Sequence, residues 1–345
     1  MNKKFRKIAI MALGIILSAV IFTGCDQFYI TSNKTNVLKR ADSKTFTVEK
    51  AVVEEITKID INTRLADVEL IPSDDYYVEI DYTYWEDTPI YTLENGVLSF
   101  DDEASFPHSY SLNFSLNNVI KIYLPENVSL DRIQLDNSSG DIEIAGITVN
   151  DLEANVSYGD LTVKSVAAAE AEFRLSCGSS NITDFSAGKL DYTNSYGHAK
   201  FTNINTEEIT LPDNAAFDTF KANMSCGDMN IKNLYSNSVD VSNSYGDVDC
   251  DGITAEEFDA VLSCGDLFVT NADLKDIKAN NSYGDVTLSL KGAKEDYSLD
   301  LGTSYGKIEV DGKKYEDHLS LDNDGSGKIS SDLSSGNIEI EFGIN

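Results

Sequence analysis

The chain has 345 residues, with 27 basic and 58 acidic side chains, a formal net charge of −31 and five cysteines. So acidic a surface repels nucleic acid and anionic lipid, and no basic cluster opposes that field. None of the cysteines forms a CxxC pair, which argues against a thiolate metal site or a dense disulfide framework.

The N-terminus reads MNKKFRK, then an apolar run from Ile8 to Phe22, then small residues before Cys25. A basic segment followed by a short apolar one is an export signal, and it is set aside from the fold. The run is about 15 residues, short for a bilayer crossing, so an uncleaved anchor helix is the weaker alternative. FTGC resembles a bacterial lipobox. That resemblance implies cleavage before Cys25, with lipid attached to its sulfur. Residues 1–24 form the signal peptide, and the rest is expected outside the cytoplasm, anchored to the cell membrane. Removing the four basic residues of the leader leaves 23 basic against 58 acidic side chains, a net charge of −35. Residues 25–45 are polar and aperiodic and read as a tether.

Residues 46–130 are rich in strand-forming runs: VELI at 68–71, YYVEIDYTY at 76–84 and VIKIYL at 119–124, with turn signals between them. They read as a β-rich N-terminal cap, which a stacked fold needs to shield its first open edge. Within it Trp85 lies beside Tyr82, Tyr84, Asp81, Glu86 and Asp87. Aromatic rings beside acids suit a sugar site and suit an ordinary β surface equally well.

Residues 131–345 are repetitive. Glycine falls at 140, 159, 178 and 197, nineteen apart, then after a longer step at 227, 246, 265 and 284. Looser units follow at Gly306, Gly327 and Gly336, the last nine-residue step suiting a closing strand pair. A period near twenty marks a solenoid. Each unit alternates apolar and polar residues before and after its glycine, as strands with one buried face do. The fold expected is all-β: a single-stranded, β-helix-like solenoid of about ten short coils, 131–345, behind the cap. The residues between Gly197 and Gly227, including TEEITLPDNAAFD, are expected to project as a loop within 198–226.

The residue before each glycine is Tyr or Cys by turns: Tyr158, Cys177, Tyr196, Cys226, Tyr245, Cys264, Tyr283. Extending the alternation to that position points both types inward. Leu or Met two residues earlier accompanies Cys, and Asn accompanies Tyr in the regular units, as volume compensation in a core of fixed width would require. Cysteines two coils apart are about 10 Å apart, too far to bridge, so they and Cys250 are expected as small buried apolar residues. The serine before the Tyr or Cys is expected to bond the turn backbone. With that serine repeated and no histidine recurring beside it, a catalytic dyad is not indicated. Asp follows the glycine at 141, 160, 228, 247, 266 and 285. It reads as a turn residue or as a partial carboxylate ladder able to hold a cation.

SGDIEI at 139–144, NSYGDVDC at 243–250, NSYGDVTL at 281–288 and KIYLPENVSL at 121–130 resemble the DUF4097 family of bacterial β-strand-repeat "putative adhesins". The likeness covers residues 47–342. It implies a binding, adhesion or scaffolding module of the cell envelope, and it brings no active-site residues, so no catalytic, metal or cofactor residue is assigned. The alternatives are an envelope-stress sensor or accessory subunit of a membrane protein, and a polysaccharide-acting β-helix enzyme. The partners expected are the membrane through the lipid on Cys25 and an envelope protein or cell-wall polymer, with no nucleic acid.

Overall fold

The computed structural model describes residues 44–84, 88–102, 118–126, 128–206, 211 and 217–344. Cys25, the tether and Trp85 lie outside them. Among the described residues the chain is built from strands, with one 3-10 turn at Lys294–Asp296. No helix there is long and apolar enough to cross a membrane.

The period-two pattern becomes a pleated wall. In Leu267–Tyr283 the residues Leu267, Val269, Ala272, Leu274, Ile277 and Ala279 are buried, while Phe268, Asp273, Lys278 and Asn280 are exposed. Successive units pair as parallel strands in register, so that Phe258 lies beside Ile277 and Val248 beside Leu267, each nineteen residues on. The step of thirty leaves that register intact: Tyr192 pairs with Ala222 and Phe201 with Ile231. The extra residues are accommodated between the strands Ala199–Ile204 and Thr219–Cys226, where Leu211 is buried. Most of that insertion lies outside the described residues.

Each unit thus contributes two walls, one before the glycine and one after it. No unit could bury its apolar edge alone; its neighbours above and below supply the core. The interior carries a column of aromatic rings. Tyr192 meets Phe201 edge-on at 5.0 Å, and Phe201 meets Phe220 at 5.1 Å. Burial raises the Tyr192 phenol to about 12, and Ser180 Oγ donates to its hydroxyl at 2.8 Å. Cys250 is fully buried, and burial pushes its thiol up, as expected for a small apolar filler.

The ends depart from sequence order. Gly327–Ser335 inserts between Leu267–Tyr283 and Tyr297–Thr303, pairing in parallel with both. The nine-residue step from Gly327 to Gly336 is therefore one wall of a further coil, not a closing pair. At the other end Lys58–Thr63 lies between Val97–Asp101 and Ser129–Ser139. Antiparallel strands then finish each end. Tyr77–Tyr84 bridges Lys44–Val52 and Val119–Pro125, while Lys313–Tyr315 and His318–Leu321 cover the other. They satisfy the backbone groups of what would otherwise be open edges.

The N-terminal strands settle part of the aromatic cluster. Tyr82 is buried in the core and donates its hydroxyl to Asp102, itself buried. Burial, then that hydrogen bond, raises the Tyr82 phenol. Tyr82 is a core residue and does not form a sugar platform.

Candidate functional site: an outward ladder of tyrosines

Alternation stops at the Asn, Leu or Met two residues before Tyr or Cys. There the chain bends into the corner, and the Tyr or Cys turns outward. Tyr158 is 65% exposed, Tyr245 61%, Tyr283 64% and Tyr305 80%, with Tyr196 at 37%. Cys177, Cys226 and Cys264 are half-buried. The expectation that Tyr and Cys fill the core in two matched ways is overturned. The residue two earlier is the inward one, and it has a separate reason for its identity.

That reason is the backbone of the neighbouring coil. Asn281 Nδ2 donates to the Gly265 carbonyl at 2.7 Å, Asn243 to Gly227 at 2.8 Å and Asn194 to Gly178 at 2.9 Å. Asn194 Oδ1 also accepts from the Tyr196 amide. Thr303, which breaks the Asn rule in the sequence, makes the same bond through its hydroxyl to Gly336 at 2.8 Å. In the Cys units Leu175, Met224 and Leu262 hold this place as apolar filler. Val156 does so beside Tyr158, and nothing in the structure explains that exception.

The glycine is demanded twice. At Gly265 φ is +134°, and a Cβ there would lie 2.0 Å from the Gly246 carbonyl oxygen. The same collision with the previous corner recurs up the stack, at Gly178 on Gly159 and at Gly284 on Gly265. A side chain of any size is excluded by sterics as well as by backbone preference.

The residue after the glycine closes the corner. Asp141 Oδ1 accepts from the Asp160 amide at 2.8 Å, and Asp160 from the Ser179 amide. Ser179 Oγ accepts from the His198 amide, and His198 Nδ1 from the Asp228 amide. Asp228, Asp247 and Asp266 continue in the same way to Asp285, whose carboxylate takes the Asn337 amide at 2.7 Å. The chain of bonds ends with the Lys307 amide on Asn337 Oδ1. Ser179 and His198 looked like breaks in an Asp ladder, yet each supplies the acceptor the next coil needs. Lys307 ends the row, with no further coil to receive, so no acceptor is required of it. This ladder is backbone closure. Among the described residues no group of His, Cys, Asp and Glu side chains is placed to hold a metal ion. The serine before Tyr or Cys is half-buried or exposed and is not what closes the corner.

A second corner was not read from the sequence. Ser165, Asp184, Asn203, Asn233 and Asn271 all have φ between 51° and 56°, with Gly146 and Gly252 at the equivalent places. Asn233 Nδ2 donates to Asn203 Oδ1 at 2.9 Å, and Asn203 Nδ2 to Asp184 Oδ1 at 2.8 Å. The signal was present: these residues recur on the same nineteen-residue beat, in the residue types that tolerate left-handed backbone.

Beyond the corners and the interior, the edge at the first corner presents a row of outward side chains. Tyr158 lies beside Cys177, Cys177 beside Tyr196, Tyr196 beside Cys226, Cys226 beside Tyr245, Tyr245 beside Cys264, and Cys264 beside Tyr283. Ser139 precedes Tyr158, and Ser335 follows Tyr283. Tyr305 comes next, its carbonyl accepting from the Gly336 amide. Large and small residues alternate along the whole edge, so tyrosines stand on every second coil.

Parallel β-coils stacked in register on glycine corners make this a β-repeat protein. The model of the Toastrack DUF4097 family matches residues 56–214 and 208–341, and the chain belongs to that family. Similar solved structures include a "putative adhesin" from Parabacteroides distasonis, 13% identical with a TM-score of 0.41, covering 88% of this chain and 98% of that one. A "putative lipid binding protein" from the same species is 14% identical with a TM-score of 0.40, covering 88% and 97%. A "putative adhesin" from Bacteroides fragilis is 14% identical with a TM-score of 0.33, covering 87% and 97%. No curated protein matches.

Proposed function

We propose that the chain is an extracytoplasmic binding or adhesion module, a solenoid of about ten coils held at the cell membrane by lipid on Cys25. The domain plan is a leader over 1–24, a tether over 25–45, a cap over 46–130 and a binding solenoid over 131–345. The observation that carries the reading is the tyrosine edge: four of its five rings are more than half exposed. Exposed aromatic rings on a rigid scaffold are the surface chemistry of recognition. Catalysis has no comparable support. Among the described residues the buried acid is Asp102, and it is enclosed in the cap with Tyr82.

The test is retention of the full-length chain, as cells export it, on isolated envelopes. Saturable retention above that of an equally acidic control protein is expected. Retention no greater than the control overturns the binding reading. Membrane attachment is tested apart: Cys25→Ala should release the exported protein from the membrane fraction, and unchanged partitioning sinks the lipid assignment.

A further inference from the structure

We infer that the tyrosine edge is a platform for a neutral, extended β-linked polysaccharide, which it grips at every second sugar. The inference rests on the binding reading and names its ligand class.

Three observations carry it. The first is spacing. Adjacent coils in a parallel stack are about 4.8 Å apart, so tyrosines on alternate coils stand on the order of 10 Å apart along the stack. An extended β-linked chain of pyranose rings turns the same face to a flat surface at every second ring, over a comparable length. Cys226, Cys264 and Ser335 stand between successive tyrosines and leave the intervening ring of such a chain room to sit low.

The second is the chemistry beside the rings. Three residues before Tyr158, Tyr196, Tyr245 and Tyr283 stand Asn155, Thr193, Ser242 and Asn280, all neutral and polar, while the Cys units hold Arg174, Asn223 and Val261 at that place. Asn223 pairs with Ser242 in register, and Ser242 Oγ donates to Asn223 Oδ1 at 2.6 Å. On the other side of the rings stands the Asp row, whose Oδ1 atoms hold the backbone while carboxylate oxygen remains at an exposed surface. Apolar ring faces flanked by neutral amides, hydroxyls and acceptors match a sugar's C–H face and its ring of hydroxyls.

The third is charge. At a net −31 the molecule repels anionic polymers at long range, which selects against acidic glycans and nucleic acid and leaves neutral ones.

Solution binding of the full-length chain to cellohexaose and to chitohexaose tests this, with maltohexaose as the coiled control and polygalacturonate as the anionic one. Binding of at least one neutral β-linked hexamer is expected, with affinity rising in steps of two sugars rather than one. Tyr245→Ala combined with Tyr283→Ala should weaken it about ten-fold or more. Tyr245→Phe, which keeps the ring, should retain it. Because these rings are exposed, thermal melting of the variants should match the parent. Failure of both β-linked hexamers to bind overturns the inference, as does equal binding by the double variant or a preference for maltohexaose or polygalacturonate. If envelope retention is saturable while the hexamers fail, the binding reading stands and the glycan assignment falls.

Discussion

At the corner, one position decides between core and surface, and stability measurements separate them cleanly. Tyr283→Ala should cost no more than about 0.5 kcal/mol, the ordinary range for an exposed substitution. Asn281→Ala should cost about 1–3 kcal/mol, because it leaves the Gly265 carbonyl without its partner. Gly265→Ala should be worse, about 2–5 kcal/mol, since strain at φ +134° adds to the collision with the previous corner. Chemical denaturation checks all three, and a Tyr283→Ala loss approaching that of Asn281→Ala would contradict the outward assignment. Tyr192 adds a pH signature. Its phenol titrates near 12 when folded against an ordinary value near 10. The folded state therefore holds its proton longer. The stability this gives is complete below pH 10 and is lost as pH rises towards 12. Tyr192→Phe should flatten that decline in a denaturation series across this window. The sequence made the inward strand positions plain, from Phe258 to Leu262. It misled at Tyr283 because period-two extrapolation continued through a bend, where the backbone no longer alternates.

The two corners differ as structural elements. The first is specified by glycine and is unforgiving. The second accepts Ser, Asp, Asn or Gly, and its cost is backbone strain in the non-glycine cases. Ser165→Gly should therefore stabilise the fold by about 0.5–1 kcal/mol, relieving a residue held at φ 54°, as Gly146 and Gly252 already do in their own units. A melting curve that falls instead would mean that the serine side chain carries weight at that corner. The second corner went unread because its residue varies, and a variable polar residue looks like ordinary loop composition. The acceptor row was half legible. Asp after Gly was visible as a repeat, while the equivalence of Asp160, Ser179 and His198 appears only once each is seen receiving the next coil's amide.

For the whole molecule, sequence order and stacking order agree through the middle and diverge at both ends. Gly327–Ser335 slots between Leu267–Tyr283 and Tyr297–Thr303, so the last coil to be synthesised is not the last in the stack. Deleting residues 327–345 removes the surface on which Tyr297–Thr303 rests and uncovers the long strand beneath. Such a truncation should lose the cooperative unfolding of the C-terminal end and expose it to limited proteolysis, while retaining strand signal from the middle. A truncated chain that melts as one transition at the parent temperature would contradict this. The repeat made the middle of the stack legible because neighbours there lie nineteen residues apart, with a single step of thirty. The ends were not, since pairings such as Tyr283 with Ser335 and Lys58 with Arg132 leave no period to follow.

The alternation of large and small residues along the edge bears on how the protein could change its length. Judged by backbone alone, one nineteen-residue unit is interchangeable with the next, and inserting or deleting one would leave every corner bond in place. Judged by the edge, it would set two tyrosines, or two cysteines, side by side and throw the rest of the row out of phase. The heritable module is therefore a doublet, one Tyr unit with one Cys unit. Lineages that keep the row working should grow or shrink by even numbers of coils.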